Sequence, residues 1–240
     1  MSLIFDSLTA GYDRHPAVHH LSGTLQDNSL TALIGPNGGG KSTLLKAITG
    51  LLKPLSGQIQ HTKKCRIGYL PQVAEIDRSF PMSVYDTVLL GYWPVCGIWG
   101  GINAAQRHEA LHALEKVGMD SFAHRPVSAL SSGQFQRVLF ARLMVQNADI
   151  LLLDEPFAAI DSRTTADLLQ VVLEWHKNGK TVVAVLHDLP QARLHFPEAL
   201  LLARDCIAWD KTALVMTEDN LKKADNLARQ WHDHGEICAA

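Results

Sequence analysis

Apolar and polar positions along the chain follow two periods in turn. Residues 2 to 9 alternate, Val18 to Leu25 alternates more weakly, and Ser29 to Ile34 is a short buried run; each predicts a strand. Gly11-Tyr12-Asp13 breaks the first, and Gln26-Asp27-Asn28 is a turn into the third. From Lys41 to Leu52 the spacing becomes helical, with Leu44, Leu45, Ile48, Leu51 and Leu52 on one face. Gly57 to Gln60 and Arg66 to Leu70 predict two more strands. Then the texture changes. Met82 to Tyr92, Ala104 to Val117 (ended by Gly118) and Ser131 to Gln146 predict three helices, a helical lobe over about 73–146 inserted into an α/β core. Ile150-Leu151-Leu152-Leu153 and Thr181 to Leu186 are apolar on both faces, the pattern of central parallel strands. A helix to about His176 separates them. Ala199 to Leu202 and Cys206 to Trp209 predict a closing β-pair, Thr217 to Leu221 a short helix, and the rest a polar tail.

Between strand and helix stands Gly35-Pro36-Asn37-Gly38-Gly39-Gly40-Lys41-Ser42-Thr43, which fits G-x-x-x-x-G-K-[ST]. Glycines let backbone N–H groups approach phosphate oxygens, and the helix N-terminus favours an anion. Lys41 supplies a point charge for the β- and γ-phosphates, and the Ser42 hydroxyl suits Mg²⁺, which takes oxygen ligands. A nucleoside triphosphate with Mg²⁺ is the expected ligand.

The remaining candidates sit at the ends of predicted strands, where ligands of parallel sheets gather. Asp154 closes one buried strand and points toward the P-loop cation; Glu155, facing differently, is placed to activate a water. Gln72, after Tyr69-Leu70-Pro71, is either a polar loop residue or a carbonyl donor to metal or water. His187 ends the next buried strand and is either structural or catalytic. Ser131 N-caps its helix, and the segment is either a plain capped helix start or one whose small residues Ser131-Ser132-Gly133 leave backbone N–H groups for an anion. Tyr12 either stacks on a base or covers a hydrophobic edge. The apolar, glycine-rich segment Gly91 to Gly101 either packs on the lobe or docks on another protein. His232, Asp233 and His234 with Glu236 and Cys238 either hold a transition metal or belong to a disordered tail.

Composition narrows the setting. The 240 residues are 47% hydrophobic and 19% charged, and the net charge of −2 gives no basic excess for a nucleic-acid partner. The N-terminal residues have neither the basic region nor the apolar core of a signal peptide. No apolar run reaches the ~20 residues needed to span a bilayer. Cys65, Cys96, Cys206 and Cys238 are scattered, as in a reducing, cytoplasmic setting.

In this order, the motifs resemble the ATPase subunit of ABC transporters over nearly the whole chain. Tyr12 matches the aromatic A-loop, Gly35 to Thr43 Walker A, and Gln72 the Q-loop. Leu130-Ser131-Ser132-Gly133-Gln134 matches the signature, Ile150 to Asp154 Walker B with Glu155 after it, Asp161 the D-loop and His187 the H-switch. The resemblance implies a P-loop core with a mainly parallel central sheet, an N-terminal antiparallel β subdomain and an inserted α-helical subdomain. The ATPase domain would be residues 1–222, with 223–240 a polar tail. It implies Mg²⁺ held by Ser42, Gln72 and Asp154, and hydrolysis by Glu155 oriented by His187. It also implies a head-to-tail dimer, or paired cassettes, in which the signature of one copy closes the ATP of the other and Asp161 makes a dimer contact. Phe80-Pro81, Ser83-Val84, Asp86, Val88, Leu90-Gly91 and Val117-Gly118-Met119 are similar to the subfamily that imports zinc, manganese or iron. Its partners would be a membrane permease and an extracytoplasmic metal-binding protein, with this chain on the cytoplasmic face of the inner or plasma membrane. The ATPases of cobalamin and iron-chelate importers are the nearest alternatives, and soluble ABC ATPases of DNA repair or translation are a second class. A cassette that binds ATP only for regulation would not be expected to keep Lys41, Asp154, Glu155 and His187. Ser132 stands where the family usually has glycine, and Ala158-Ala159-Ile160 is a variant lead-in to the D-loop.

Overall fold

The computed structural model describes residues 2–13, 15–97 and 100–233. Strands β1 (Leu3–Tyr12) and β2 (His15–Leu25) form an antiparallel ribbon, and β3 (Leu30–Ile34) leads into helix α1 (Lys41–Ile48). Strands β4 (Ser56–His61) and β5 (Ile67–Leu70) precede the helical insertion. The insertion contains α2 (Val84–Leu89), the short α3 (Trp93–Cys96), α4 (Ala104–Lys116) and α5 (Ser132–Val145). Then β6 (Ile150–Leu153), α6 (Ser162–Lys177), β7 (Thr181–Val185), α7 (Leu189–His195), β8 (Glu198–Ala203) and β9 (Asp205–Lys211) complete the core. Helices α8 (Thr212–Val215) and α9 (Glu218–Asp233) follow.

Among the described residues the strands lie in the order β4-β1-β2-β9-β8-β3-β7-β6-β5. Strands β8, β3, β7, β6 and β5 run parallel, whereas β4, β1 and β2 are antiparallel. The two parts meet at one register pair, His19 with Asp205. Strand residues point to opposite faces in turn, and each core strand therefore feeds two cores. Leu30, Ala32, Leu151 and Leu153 face a cluster that continues through Val88, Leu114, Phe135 and Leu139 of the insertion. Leu33, Leu152 and Val183 face a second cluster, closed by Leu44 and Leu45 of α1 and by Leu3, Leu8 and Leu21 of the N-terminal ribbon. The inserted helices thus share one core with the sheet, as the predicted architecture requires.

Several predicted boundaries move. Strand β1 runs through Gly11 and Tyr12, where a break was expected, because β2 pairs with it up to His15. Helix α1 stops at Ile48: Gly50 takes a left-handed φ of 76° and Leu51 turns outward, 70% exposed. The helix expected over Met82 to Tyr92 begins at Val84 on the Ser83 cap and tightens to a 3₁₀ turn at Leu90–Tyr92. Helix α7 was not foreseen. The short helix expected at Thr217 to Leu221 is the long α9, and the supposed polar tail is helical to Asp233. No helix of the described residues is long and apolar enough to cross a membrane.

The glycine-rich segment divides. Tyr92 is buried and donates from its hydroxyl to Glu109 Oε2 at 2.7 Å, whereas Trp93 and Val95 are exposed. Ile98 and Trp99 lie outside the described residues, as do His234, Glu236 and Cys238 of the suggested tail site. Among the described residues no three His, Cys, Asp or Glu side chains are grouped to hold a metal ion.

Candidate active site

Topology brings the motifs together. The parallel order β3-β7-β6-β5 sets their carboxyl ends side by side. These ends carry, in that order, the P-loop, His187, Asp154 with Glu155, and Gln72. A cleft of about 670 Å³ opens there, lined among others by Asn37 to Thr43, Gln72, Glu155 and His187. Ala17 of β2 also lines it and was not foreseen.

The P-loop conformation depends on glycine at Gly40, which has φ 89° and would place a Cβ 2.1 Å from the carbonyl oxygen of Ala17. Lys41 is 6% exposed, and its Nζ donates to the carbonyls of Gly35 (3.0 Å) and Pro36 (2.8 Å). Burial holds the Lys41 amine below its ordinary pKa, partly offset by the charges of Glu155 and Asp154. The loop thus wraps the Lys41 ammonium with two of its own carbonyls.

Asp154 is fully buried. Its Oδ1 accepts from Ser42 Oγ at 3.1 Å and its Oδ2 from the Tyr69 hydroxyl at 3.3 Å. Burial pushes the carboxyl pKa up, with Glu155 adding to it, while the hydrogen bonds from Ser42, Tyr69 and Gln72 pull it down. Burial likewise pushes the Tyr69 phenol up, reinforced by Asp154. Ser42 and Asp154 supply two adjacent oxygens, a hard donor set that fits Mg²⁺ with waters completing the shell.

Glu155 has φ 50°, a left-handed conformation uncommon for a side chain of this size. The turn takes its carboxylate off the line of Asp154, so that Oε1 meets His187 Nε2 at 2.8 Å and Gln72 Nε2 at 2.9 Å. Gln72 was expected to offer its carbonyl oxygen to the metal. Instead its amide nitrogen faces Glu155, and Ser42 Oγ at 3.5 Å. The segment after Gln72 is tied to α1 by Lys46 Nζ and Glu75 Oε1 at 2.8 Å.

Other expected residues lie apart from the cleft lining. Tyr12 is 49% exposed at the end of β1. Ser131 to Gln134 open α5 as a capping box: Ser131 Oγ accepts from the Gln134 backbone N–H, and the Gln134 side chain accepts from that of Ser131. Those two N–H groups are therefore engaged and not left for an anion. Asp161 caps α6, accepting from the Thr164 N–H at 2.9 Å, and these hydrogen bonds hold its carboxyl below the ordinary value. A Cβ built on Gly133 would lie 3.6 Å from Ile160, so the opening of α5 and the segment before α6 adjoin within one chain. Tyr69 carried no motif of its own; only the parallel register of β5 on β6 reveals it.

Known proteins resemble this chain in sequence and in fold. The family model described as "ABC transporter" matches residues 18–158, more than half of the chain. The manganese transport system ATP-binding protein MntB of Bacillus subtilis is 41% identical over 224 residues, covering 91% of this chain and 90% of that protein. The zinc transport system ATP-binding protein TroB of Treponema pallidum is 36% identical over 225 residues, covering 91% and 85%. A bacterial ABC transporter cassette solved as a dimer superposes with a TM-score of 0.77 at 25% identity, covering 88% of this chain and 98% of that one.

Proposed function

This chain belongs to the ABC transporter family of ATPases, and from that premise we propose that it hydrolyses MgATP to drive uptake of manganese or zinc through a separate membrane permease. The observation that carries the ATPase reading is the convergence on Glu155 Oε1. Gln72 and His187 hold one carboxylate at the mouth of the cleft that the P-loop lines. In this reading the P-loop amides and Lys41 bind the β- and γ-phosphates, and Ser42 and Asp154 hold the metal, with Gln72 joining after its amide turns over. Magnesium, bound with the nucleotide, neutralises charge that develops on the transferred phosphoryl group. Glu155 accepts a proton from the attacking water, and His187 fixes the orientation of that carboxylate. Tyr12, exposed at the end of β1, is the candidate for the adenine.

Ser131 to Gln134 do not line the cleft, so one copy leaves the γ-phosphate side open. A second copy would present its signature and Asp161 there, and the dimeric cassette supports that arrangement. The likeness to MntB and TroB supports a divalent metal as cargo. A transport system of this kind would seat the chain on the cytoplasmic face, with a permease and an extracytoplasmic binding protein beside it.

The test is Glu155→Gln, which keeps size and polarity and removes the base. Purified variant should bind ATP with unchanged affinity and hydrolyse it at least about a hundredfold more slowly. Cells with only this variant should hold less manganese or zinc. Normal turnover would overturn the catalytic reading; lost turnover with unchanged metal content would overturn the cargo.

A further inference from the structure

Tyr69 reaches the cation site from behind. Strand β5 lies parallel to β6, with Tyr69 opposite Leu152 and Leu70 opposite Leu153. Alternate strand residues share a face, so Tyr69, Leu152 and Asp154 stand on one face, which α1 covers. The ring packs on the cluster that contains Leu152, Leu44 and Leu45, and the Asp154 N–H is fixed to the Leu70 carbonyl at 2.8 Å. From that position the phenol donates to Asp154 Oδ2 while Ser42 donates to Oδ1.

Two donors on two different oxygens fix the plane of a carboxylate whose terminal torsion is otherwise soft. With Oδ2 tied to the sheet, Oδ1 is the oxygen presented beside Ser42. A phenol suits this position because its body is apolar enough to be buried, and its hydroxyl donates without bringing a cation that would compete with a metal.

We infer that Tyr69 is a positioning residue for the nucleotide-bound Mg²⁺, setting the orientation of Asp154 through a hydrogen bond to its far oxygen. It does not line the cleft and would act through Asp154. The inference rests on the reading of Asp154 as a metal ligand. Outer hydrogen bonds of this kind are worth about 10- to 100-fold in metal affinity.

Tyr69→Phe keeps the ring and its packing and removes only the donor. Binding of a non-hydrolysable ATP analogue to the whole chain is titrated by calorimetry, in EDTA and then over rising Mg²⁺. The expected result is unchanged affinity in EDTA and a Mg²⁺ concentration for half-maximal enhancement raised about tenfold. An unchanged Mg²⁺ requirement overturns the inference. So does equal weakening with and without Mg²⁺, which would mark Tyr69 as a prop for the loop alone. Asp154→Asn, titrated alongside, separates the two levels. If it abolishes the Mg²⁺ effect while Tyr69→Phe leaves it intact, only the role of Tyr69 falls. If Asp154→Asn itself keeps a normal Mg²⁺ effect, the metal-ligand reading falls and the inference with it.

Discussion

His19 shows how much one buried side chain can govern. His19 stands at the register pair that joins the N-terminal ribbon to the parallel core, 6% exposed, with its backbone N–H donating to the Arg204 carbonyl at 2.9 Å. Burial lowers its pKa, Arg204 and His20 push the same way, and Asp205 and a backbone contact at Pro16 oppose. In the unfolded chain His19 has its ordinary, higher pKa, so the unfolded state takes up the proton first as pH falls. Stability from the neutral, buried ring is therefore full above the ordinary histidine pKa and is lost as pH drops through it toward the folded value. His19→Asn removes that dependence. The advantage of wild type over the variant in thermal midpoint should shrink between about pH 7.5 and about pH 5; parallel loss in both proteins would contradict it. At the same scale, the sequence marks Glu155 as chemically apt but not its left-handed backbone, which aims the carboxylate at His187.

Helix boundaries were legible where capping is local. Asn103 with Gln106 and Ser131 with Gln134 form capping boxes on α4 and α5, and both starts were predicted within a residue. The ends of α1 and α9 were misjudged. For α1, apolar spacing continues through Leu51 and Leu52 although Gly50 has already turned the chain. In α9 the polar composition hides an amphipathic helix whose Ala224 is buried against the core. The two boxes also separate structure from chemistry. Asn103→Ala and Ser131→Ala should each cost about 1 kcal/mol of stability in denaturant unfolding. Only Ser131→Ala should also depress ATPase turnover, since α4 lies away from every expected phosphate contact. Equal turnover in the two variants would remove Ser131 from the nucleotide site.

At the scale of the whole molecule, the proposed dimer would set the opening of α5 against a partner's nucleotide, and Gly133 is the residue that tests it. A Cβ there meets nothing closer than 3.6 Å within its own chain, and its backbone is not left-handed. Gly133→Ala should therefore leave the isolated chain as stable as before, or up to about 1 kcal/mol more stable, because alanine favours helix. If a second copy lays its γ-phosphate against this turn, the added methyl should block it. ATP-induced dimerisation in the Glu155→Gln background, followed by sedimentation velocity, should then fail in the double variant. A dimer of undiminished affinity would show that the opening of α5 does not face a partner's nucleotide.

The phosphate loop, its flanking strand and helix, the buried carboxylate strand and the helical insertion were all written in the sequence, because each rests on residues adjacent in the chain: glycine spacing, apolar period, a capping pair. What the sequence left open was whichever contact joins distant segments. The order of strands sets Gln72, Asp154, Glu155 and His187 along one edge of the sheet, although as many as 115 positions separate Gln72 from His187 in the numbering. The turn of the Gln72 amide toward Glu155 and the hydroxyl of Tyr69 beneath Asp154 depend on parallel register between strands that a whole helical lobe divides. Local physics chose the elements. Only the burial of two sheet faces at once, which forces those strands side by side, decided which side chains meet.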